Sequence, residues 1–411
     1  MALWGAIGLL LFLADFNEEG LKALEARKYA EAAALFQKAI DADPQDFAAY
    51  FHLALANTYL ENDAAAILAY QKALELKPGL YQAQVNLGMV LLRQKRAGEA
   101  VPLLESAVQQ KPGEYRPRFY LAEALLEAGD AAKAEAHYKA AAAADPKSAA
   151  AQLGWGRATA RQERLPEAAE HYHQAAELDP SYRDELLELA NIYEKAGRGA
   201  DAIRVYRQFP ENAGALERLG LLLLENGQHA EAIPVLEEAV RKDPTPANHL
   251  ALATAYEFNQ QSGKAMPILQ ALVQADPGNY DLHMRFGRAL RTARQYPLAA
   301  QEFQKSAELK PDSQEPWKDL AATYIALKQF AGALAALDRA RNLGDNSAAS
   351  LYFRALALDQ LAHERIPPPK KSIQLALEAY QEFLVASKDN KEQELVARER
   401  VNALQKELNR R

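Results

Sequence analysis

The sequence contains no cysteine. That excludes disulfides, thiolate metal sites, covalent haem attachment and a cysteine-linked lipid anchor, and it leaves the compartment open. A phosphate-cradling glycine loop and an HExxH zinc pair are also missing. So is a broad basic surface of the kind that nucleic-acid backbones require: 48 Lys and Arg stand against 55 Asp and Glu, for a formal charge of −7. The eight histidines, His52, His137, His171, His173, His229, His249, His283 and His363, are scattered. His171 and His173 are two apart and point to different faces of a helix, so the histidines read as surface residues and not as ligands. Paired acids such as Glu18-Glu19, Glu237-Glu238 and Glu392/Glu394 read as solvated helix charges, because a two-carboxylate mechanism needs a spatial separation that adjacency does not supply. The expectation is a chain with no catalytic residue, no metal and no cofactor.

What the sequence does have is a period. Small residues recur as Gly20, Ala54, Gly88, Ala122, Gly156 and Ala190, and again as Gly220, Ala253, Gly287, Ala321 and Ala355. A second column runs Ala32, Ala66, Ala100, Ala134, Ala168, Ala202, Ala232, Ala265, Ala299 and Ala333. A third is Pro44, Pro78, Pro112, Pro146, Pro180, Pro244, Pro277 and Pro311. A fixed period of about 34 residues marks a repeat array. The chain is 411 residues long, more than one compact core serves, and a solenoid escapes that limit because each unit buries its apolar face against its neighbours.

Each column has a physical reason. The spacing of 12 between the small residue and the column alanine leaves space for one helix end, a tight turn and a second helix start. Small side chains allow two helix backbones to approach closely. Four residues beyond each column alanine stands a large side chain on the same face: Phe36, Tyr70, Leu104, Tyr138, Tyr172, Tyr206, Leu236, Leu269, Phe303 or Leu337. The proline ends the second helix. Gly129, Gly197 and Gly227 fall at the turn within a unit, where positive φ is tolerated.

Phe16-Asn-Glu-Glu-Gly20 with Tyr29, Ala32, Phe36, Ala39 and Pro44 resembles a tetratricopeptide repeat, as do Leu87-Gly88 with Ala100, Leu104, Ala107 and Pro112. Trp317, Leu320, Ala321, Tyr324, Phe330, Ala333, Leu337 and Ala340 give the same series again. The resemblance covers about residues 13–386 in roughly eleven units. It implies an all-α solenoid of antiparallel helix pairs in a right-handed superhelix, with a concave groove lined by the first helix of each pair.

Four departures from regularity shape the expected organisation. Met1–Ala14 carries no charge. It fits a signal-peptide core, although no Lys or Arg precedes it and Phe12 is large for the position three before a cut. Read instead as a retained apolar helix, it would cover the first repeat, a membrane surface or a neighbouring subunit, with Trp4, Leu9, Leu10 and Phe12 as self-association residues. The second departure is Arg207–Asn212, where a short sixth unit separates repeats over 13–212 from repeats over 213–386. The third is Ile366–Lys371, where three prolines enlarge a turn. The fourth is the segment 387–411, whose Ala397, Val401, Leu404 and Leu408 form the stripe of a capping helix. Arg398, Arg400, Lys406, Arg410 and Arg411 read as part of its solvated face.

If the family geometry holds, groove positions in units two to four include Phe51, Leu55, Tyr59, Asn86, Met89, Arg93, Phe119 and Tyr120, some of them shared with packing against the next repeat. Arg285, Arg288 and Arg291 form a basic ladder suited to ligand carboxylates, in repeat phase with Arg157 and Arg161. The carboxylate clamp of chaperone-cofactor domains would fall on Phe51, Leu55, Asn86, Arg116 and Tyr120, of which only Asn86 and Arg116 are compatible. The expected function is therefore a protein-interaction scaffold that binds a peptide or helix, with no nucleic-acid partner. It resembles stand-alone bacterial proteins that are exported or envelope-associated, and would be cytoplasmic if the apolar segment is not a signal. The alternative is a self-assembling structural protein, an oligomer or head-to-tail filament built through that segment.

Overall fold

The computed structural model describes residues 16–364, 366–387 and 390–410, and every regular element among them is helical. The chain divides at Val205/Tyr206 into two compact units. In the first, residues 16–25 form α1. It is followed by α2 (Tyr29–Ala42), α3 (Phe47–Tyr59), α4 (Asp63–Leu76), α5 (Tyr81–Arg93), α6 (Ala97–Gln110), α7 (Tyr115–Glu127), α8 (Ala131–Ala144), α9 (Ala149–Ala160) and α10 (Leu165–Leu178). A 3-10 helix over Pro180–Glu185 then leads into α11 (Leu186–Lys195), and α12 (Gly199–Tyr206) runs to the division. The second unit holds α13 (Ala213–Glu225), α14 (His229–Lys242), α15 (Pro246–Phe258), α16 (Ser262–Ala275), α17 (Tyr280–Thr292) and α18 (Tyr296–Leu309). It continues with α19 (Glu315–Ala326), α20 (Phe330–Asn342), α21 (Ala348–His363), α22 (Lys370–Ala386) and α23 (Lys391–Asn409). Consecutive helices from α2 to α11 in the first unit and from α13 to α23 in the second pack on one another, the pattern of a helix-pair solenoid.

The sequence columns map onto this packing. The large side chains Phe36, Tyr70, Leu104, Tyr138, Tyr172, Leu236, Leu269 and Phe303 are fully buried. Opposite them, the small column permits contact of backbone with side chain: a β-carbon added at Gly88 would lie 2.6 Å from Leu104 Cγ. The second helices stop where the proline column requires. Asp43, Lys77, Lys111, Asp145 and Asp179, each preceding a proline, are C-caps that leave the helical region, with φ between −133° and −143° and ψ between 76° and 111°. First helices are capped by side chains in several repeats, as where Asp46 accepts from the amides of Ala48 and Ala49 and Asn279 from that of Leu282.

The turn within each unit is more uniform than its sequence. Gly129, Gly197 and Gly227 have positive φ, as expected. So do Arg27, Glu61, Lys95, Glu163, Gln260, Arg294 and Lys328, the equivalent residues elsewhere, with φ between 56° and 62°. The following amide reaches back around this residue, Arg96 N to Leu91 O at 2.9 Å, closing the first helix in a Schellman-like turn.

Several sequence expectations are corrected. Close packing also falls outside the columns: at Gly154, two residues before the column glycine Gly156, a β-carbon would lie 2.2 Å from Tyr138 Cε1 in the preceding unit. His283 is buried and not a surface residue: its Nδ1 lies 2.6 Å from Glu302 and its Nε2 3.0 Å from the Pro277 carbonyl. Arg400 leaves the solvated face and grips the buried Asp359 with two bonds of 2.7 Å. The capping stripe itself is in place, with Ala397 and Leu404 buried and Val401 and Leu408 packed beside them on the α21–α22 core. In the shortened unit α12 spans 8 residues where α10 spans 14. Trp4, Leu9, Leu10 and Phe12 lie outside the described residues.

Candidate functional site

The first helices α3, α5 and α7 present the predicted aromatic and apolar side chains, and packing divides them into two groups. Phe51 and Phe119 are wedges. Phe51 leans on Tyr70 at 5.9 Å between ring centroids, and Phe119 stacks on Tyr115 at 5.4 Å and meets Tyr138 at 6.1 Å. Much of their surface is therefore spent on the core. Leu55, Met89 and Tyr120 remain half-buried and reach the surface. Tyr59 is exposed and stacks on Tyr29 at 4.6 Å. Among these residues Arg116 sets its guanidinium 5.9 Å from the Tyr120 ring centroid and 3.4 Å from Asn86 Oδ1. The two clamp-compatible residues, Asn86 and Arg116, are thus brought together.

The predicted arginines are placed differently: their charges are already answered. Arg93 binds Asp63 through both arms of its guanidinium, one at 2.8 Å. The bond from Arg93 holds the Asp63 carboxyl below its ordinary pKa despite burial. Arg285 pairs with Glu257 and donates to Thr254 at 2.6 Å. Arg288 and Arg291 share Asp319, at 2.8 and 2.6 Å, and Arg288 also approaches Glu315. In the first unit Arg157 bonds Glu188 at 2.7 Å and Glu185 at 2.8 Å. Burial works against the charge of Arg157, yet Glu188 outweighs it and the pKa rises.

Sequence reasoning missed these acidic partners, although a signal was present. The pairs Arg157–Glu185 and Arg291–Asp319 are 28 apart, and Arg157–Glu188 and Arg288–Asp319 are 31 apart. In a repeat of about 34 residues, those separations return a side chain to the next first helix, one or two turns earlier on the same face.

Between α7, α9 and α11 lies a cavity of about 350 Å³ lined by Leu126, Arg157, Arg161, Tyr172, Glu188 and Ile192. Burial raises the Tyr172 hydroxyl pKa, so it stays neutral near pH 7. Arg161 donates to the Leu126 carbonyl at 2.6 Å. The arrangement can bind polar and apolar groups side by side. Among the described residues, no group of three or more His, Asp or Glu side chains is placed to hold a metal ion, and no helix is long and apolar enough to cross a membrane.

Comparison with known proteins gives the following similarities. Family models for the tetratricopeptide repeat match residues 91–154 and residues 17–81 and 187–246. A model for ChAPs, Chs5p-Arf1p-binding proteins, matches residues 217–406. A BBSome complex member BBS4 homolog of Drosophila melanogaster is 24% identical over 184 residues, an alignment that takes in 43% of this chain and 38% of the relative. The chain therefore spans well under half the length of the curated relative it matches. Among solved structures, MamA (41-end) from Desulfovibrio magneticus RS-1 is 23% identical with a TM-score of 0.39, covering 41% of this chain and 96% of that one. The P58(IPK) TPR domain is 17% identical with a TM-score of 0.27, covering 77% of this chain and 98% of that one.

Proposed function

We propose, from the premise that the chain is an array of tetratricopeptide repeats, that it is a non-enzymatic scaffold binding an extended or helical segment of a partner protein along α3, α5 and α7. The observation that carries this reading is the state of Arg116. Arg93, Arg157, Arg285, Arg288 and Arg291 are each held by a carboxylate of the chain itself. Arg116 is exposed, and it meets the Asn86 amide oxygen and the Tyr120 ring, with no carboxylate partner among the described residues. An uncompensated guanidinium backed by an aromatic ring recognises a carboxylate well. Leu55 and Met89 supply apolar surface on the same row of helices. Together they suit a segment that presents an acidic group next to a hydrophobic anchor.

The test is selection of peptides from a random displayed library on the full chain, followed by affinity measurement against variants. Selected peptides should carry Asp, Glu or a free C-terminus, and should bind Arg116→Gln and Tyr120→Ala at least tenfold more weakly, the worth of one charge-assisted contact. Arg116 is exposed, so its replacement leaves the fold intact. Selected peptides that bind both variants as tightly as the unaltered chain would overturn the assignment.

A further inference from the structure

The second helices enclose a separate cleft, apart from the Arg116 face. It has a volume of about 570 Å³ and lies between α18, α19 and α20, a size that takes a small organic molecule. Leu320, Ala307 and Ala336, all buried, form its floor. The Tyr324 ring lines it too, its hydroxyl accepting from Gln304 at 2.6 Å. Two polar groups on its lining have no partner. The Trp317 indole N–H is buried without a hydrogen bond. The Arg339 guanidinium, on an exposed residue at the cleft's rim, makes no ion pair or hydrogen bond with any described residue.

The repeat supplies an internal control that locates these two groups. Trp317 stands four residues before the small residue Ala321, and Gln84 stands four before Gly88. Arg339 stands six residues after the column alanine Ala333, and Ser106 six after Ala100. In the earlier unit the residues at these two positions bond directly, Gln84 Nε2 donating to Ser106 Oγ at 3.0 Å, and Gln84 also reaches the Pro78 carbonyl at 3.1 Å. The two positions therefore face each other. In the tenth unit both carry donors. An indole N–H and a guanidinium cannot satisfy one another; the indole N–H is buried without an acceptor, while the guanidinium belongs to an exposed residue and stands open to solvent or a ligand. A buried donor without an acceptor is costly, and a native fold that retains one has a reason for it.

We propose that this cleft binds an apolar carboxylate, with one oxygen accepting from Trp317 Nε1–H, the other facing the Arg339 guanidinium, and the hydrocarbon body lying on Leu320, Ala307 and Ala336 toward Tyr324. The antiparallel pairing of α19 and α20 supports this orientation, because Trp317 is near the start of one and Arg339 near the end of the other, while Tyr324 and Gly332 occupy the opposite end. Glu308 also lines the cleft, and its charge is answered by Lys305 Nζ at 3.1 Å. A carboxylate with a linear or aromatic body meets all of these demands at once. A neutral alcohol satisfies one donor, and an amine satisfies neither.

The experiment is calorimetric titration of the full chain at fixed ionic strength with decanoate, decanol and decylamine, each kept below its micelle concentration. Decanoate should bind with one site per chain, decanol at least tenfold more weakly, and decylamine not measurably. Arg339→Gln should weaken decanoate about tenfold while leaving decanol unchanged, and Trp317→Phe should weaken both, as expected for loss of one hydrogen bond of each kind. Ala335→Leu, at an exposed position on the cleft wall, should narrow the entrance and lower the affinity for both ligands. Circular dichroism of each variant checks that the helices persist. Equal affinity for decanoate and decanol, preference for decylamine, or decanoate binding unchanged in both Arg339→Gln and Ala335→Leu would each overturn the assignment. Because none of these residues touches Arg116, either proposal can fail while the other stands.

Discussion

Asp63 opens α4 and Arg93 closes α5, and although they stand 30 positions apart the two side chains clasp in a two-armed ion pair. The same two places carry stacked rings in other repeats: Tyr29 opens α2 and stacks on Tyr59 at the end of α3, and His229 opens α14 and stacks on Phe258 at the end of α15. One geometric junction, where a second helix begins beside the end of the next first helix, is thus closed by different chemistry in different repeats.

If the junction is interchangeable, the aromatic solution should work where the ionic one now stands. Asp63→Ala should lower the stability of the first unit by about 1–3 kcal/mol, since it removes the buried partner of a half-exposed guanidinium. Asp63→Tyr with Arg93→Tyr should recover most of that loss, read as urea midpoints by circular dichroism. The pH dependence separates the two. The Asp63 carboxyl is held below 3.8, chiefly by its bond from Arg93, so the pair contributes fully above the unfolded value and loses its contribution as pH falls through the folded one. Acidification from pH 6 to pH 2 should therefore cost the unaltered chain more than the Tyr/Tyr variant. An equal loss in both would rule out the ion pair as the source.

The turns within the units offer a gain in stability. Lys95 and Gln260 hold φ of 58°, where a β-carbon is unfavourable. Lys95→Gly and Gln260→Gly should each stabilise their unit by about 0.5–1 kcal/mol, after allowing for the greater freedom of glycine in the unfolded chain. Gly129→Ala, at φ 92°, should destabilise by about 1 kcal/mol or more. Midpoints that move the other way would mean that the side chains at these turns make contacts worth more than the strain.

Close packing against glycine gives a sharper test. A β-carbon at Gly154 would collide with the Tyr138 ring of the preceding unit, whose hydroxyl is itself tied to Glu123. Gly154→Ala should cost about 1–3 kcal/mol through overpacking, and Tyr138→Leu should restore part of it by making space. If Gly154→Ala melts with the unaltered chain, the ring has room to move and the contact is not a constraint.

The helices, their ends and the core were legible because each depends on residue type at a fixed period. Leu104 opposite Gly88 and the stop before Pro112 follow from position alone. The site was only half legible. Position told that Phe51, Met89 and Arg93 lie on first helices, but whether a side chain there is free depends on residues about one repeat away. Arg93 is occupied by Asp63, and Arg116 is not occupied by an acid, although both look alike as sequence. The seven positive-φ turns without glycine were hidden for a related reason: the surrounding helices fix the backbone there and leave the residue type with a minor vote. Ile366–Lys371 shows the converse, since its prolines announce an irregular turn and say nothing of the exposure of Ile366.

The docking of the capping helix should depend on pH through His363. This residue closes α21 with its Nδ1 2.8 Å from the Asp359 carbonyl and 3.2 Å from the Asp359 carboxylate, while its Nε2 lies 3.2 Å from Glu407 on α23. The same buried Asp359 receives both arms of Arg400 and the Tyr380 hydroxyl. Burial disfavours the imidazolium, but the bond with Asp359 and that with Glu407 outweigh it, and the His363 pKa lies above 6.5. A raised pKa means a contribution that is complete below the unfolded value and disappears as pH rises through the folded one. Amide-exchange protection of α23, corrected for intrinsic rates, should therefore be greater at pH 6 than at pH 8, and His363→Gln should flatten that difference. Burial lowers the pKa of His52, His137 and His171, which act in the opposite sense elsewhere in the chain, so the readout must be local to α23. Protection of α23 that falls on acidification, or the same pH trend in His363→Gln, would show that Arg400 and Asp359 hold the cap without help from the histidine.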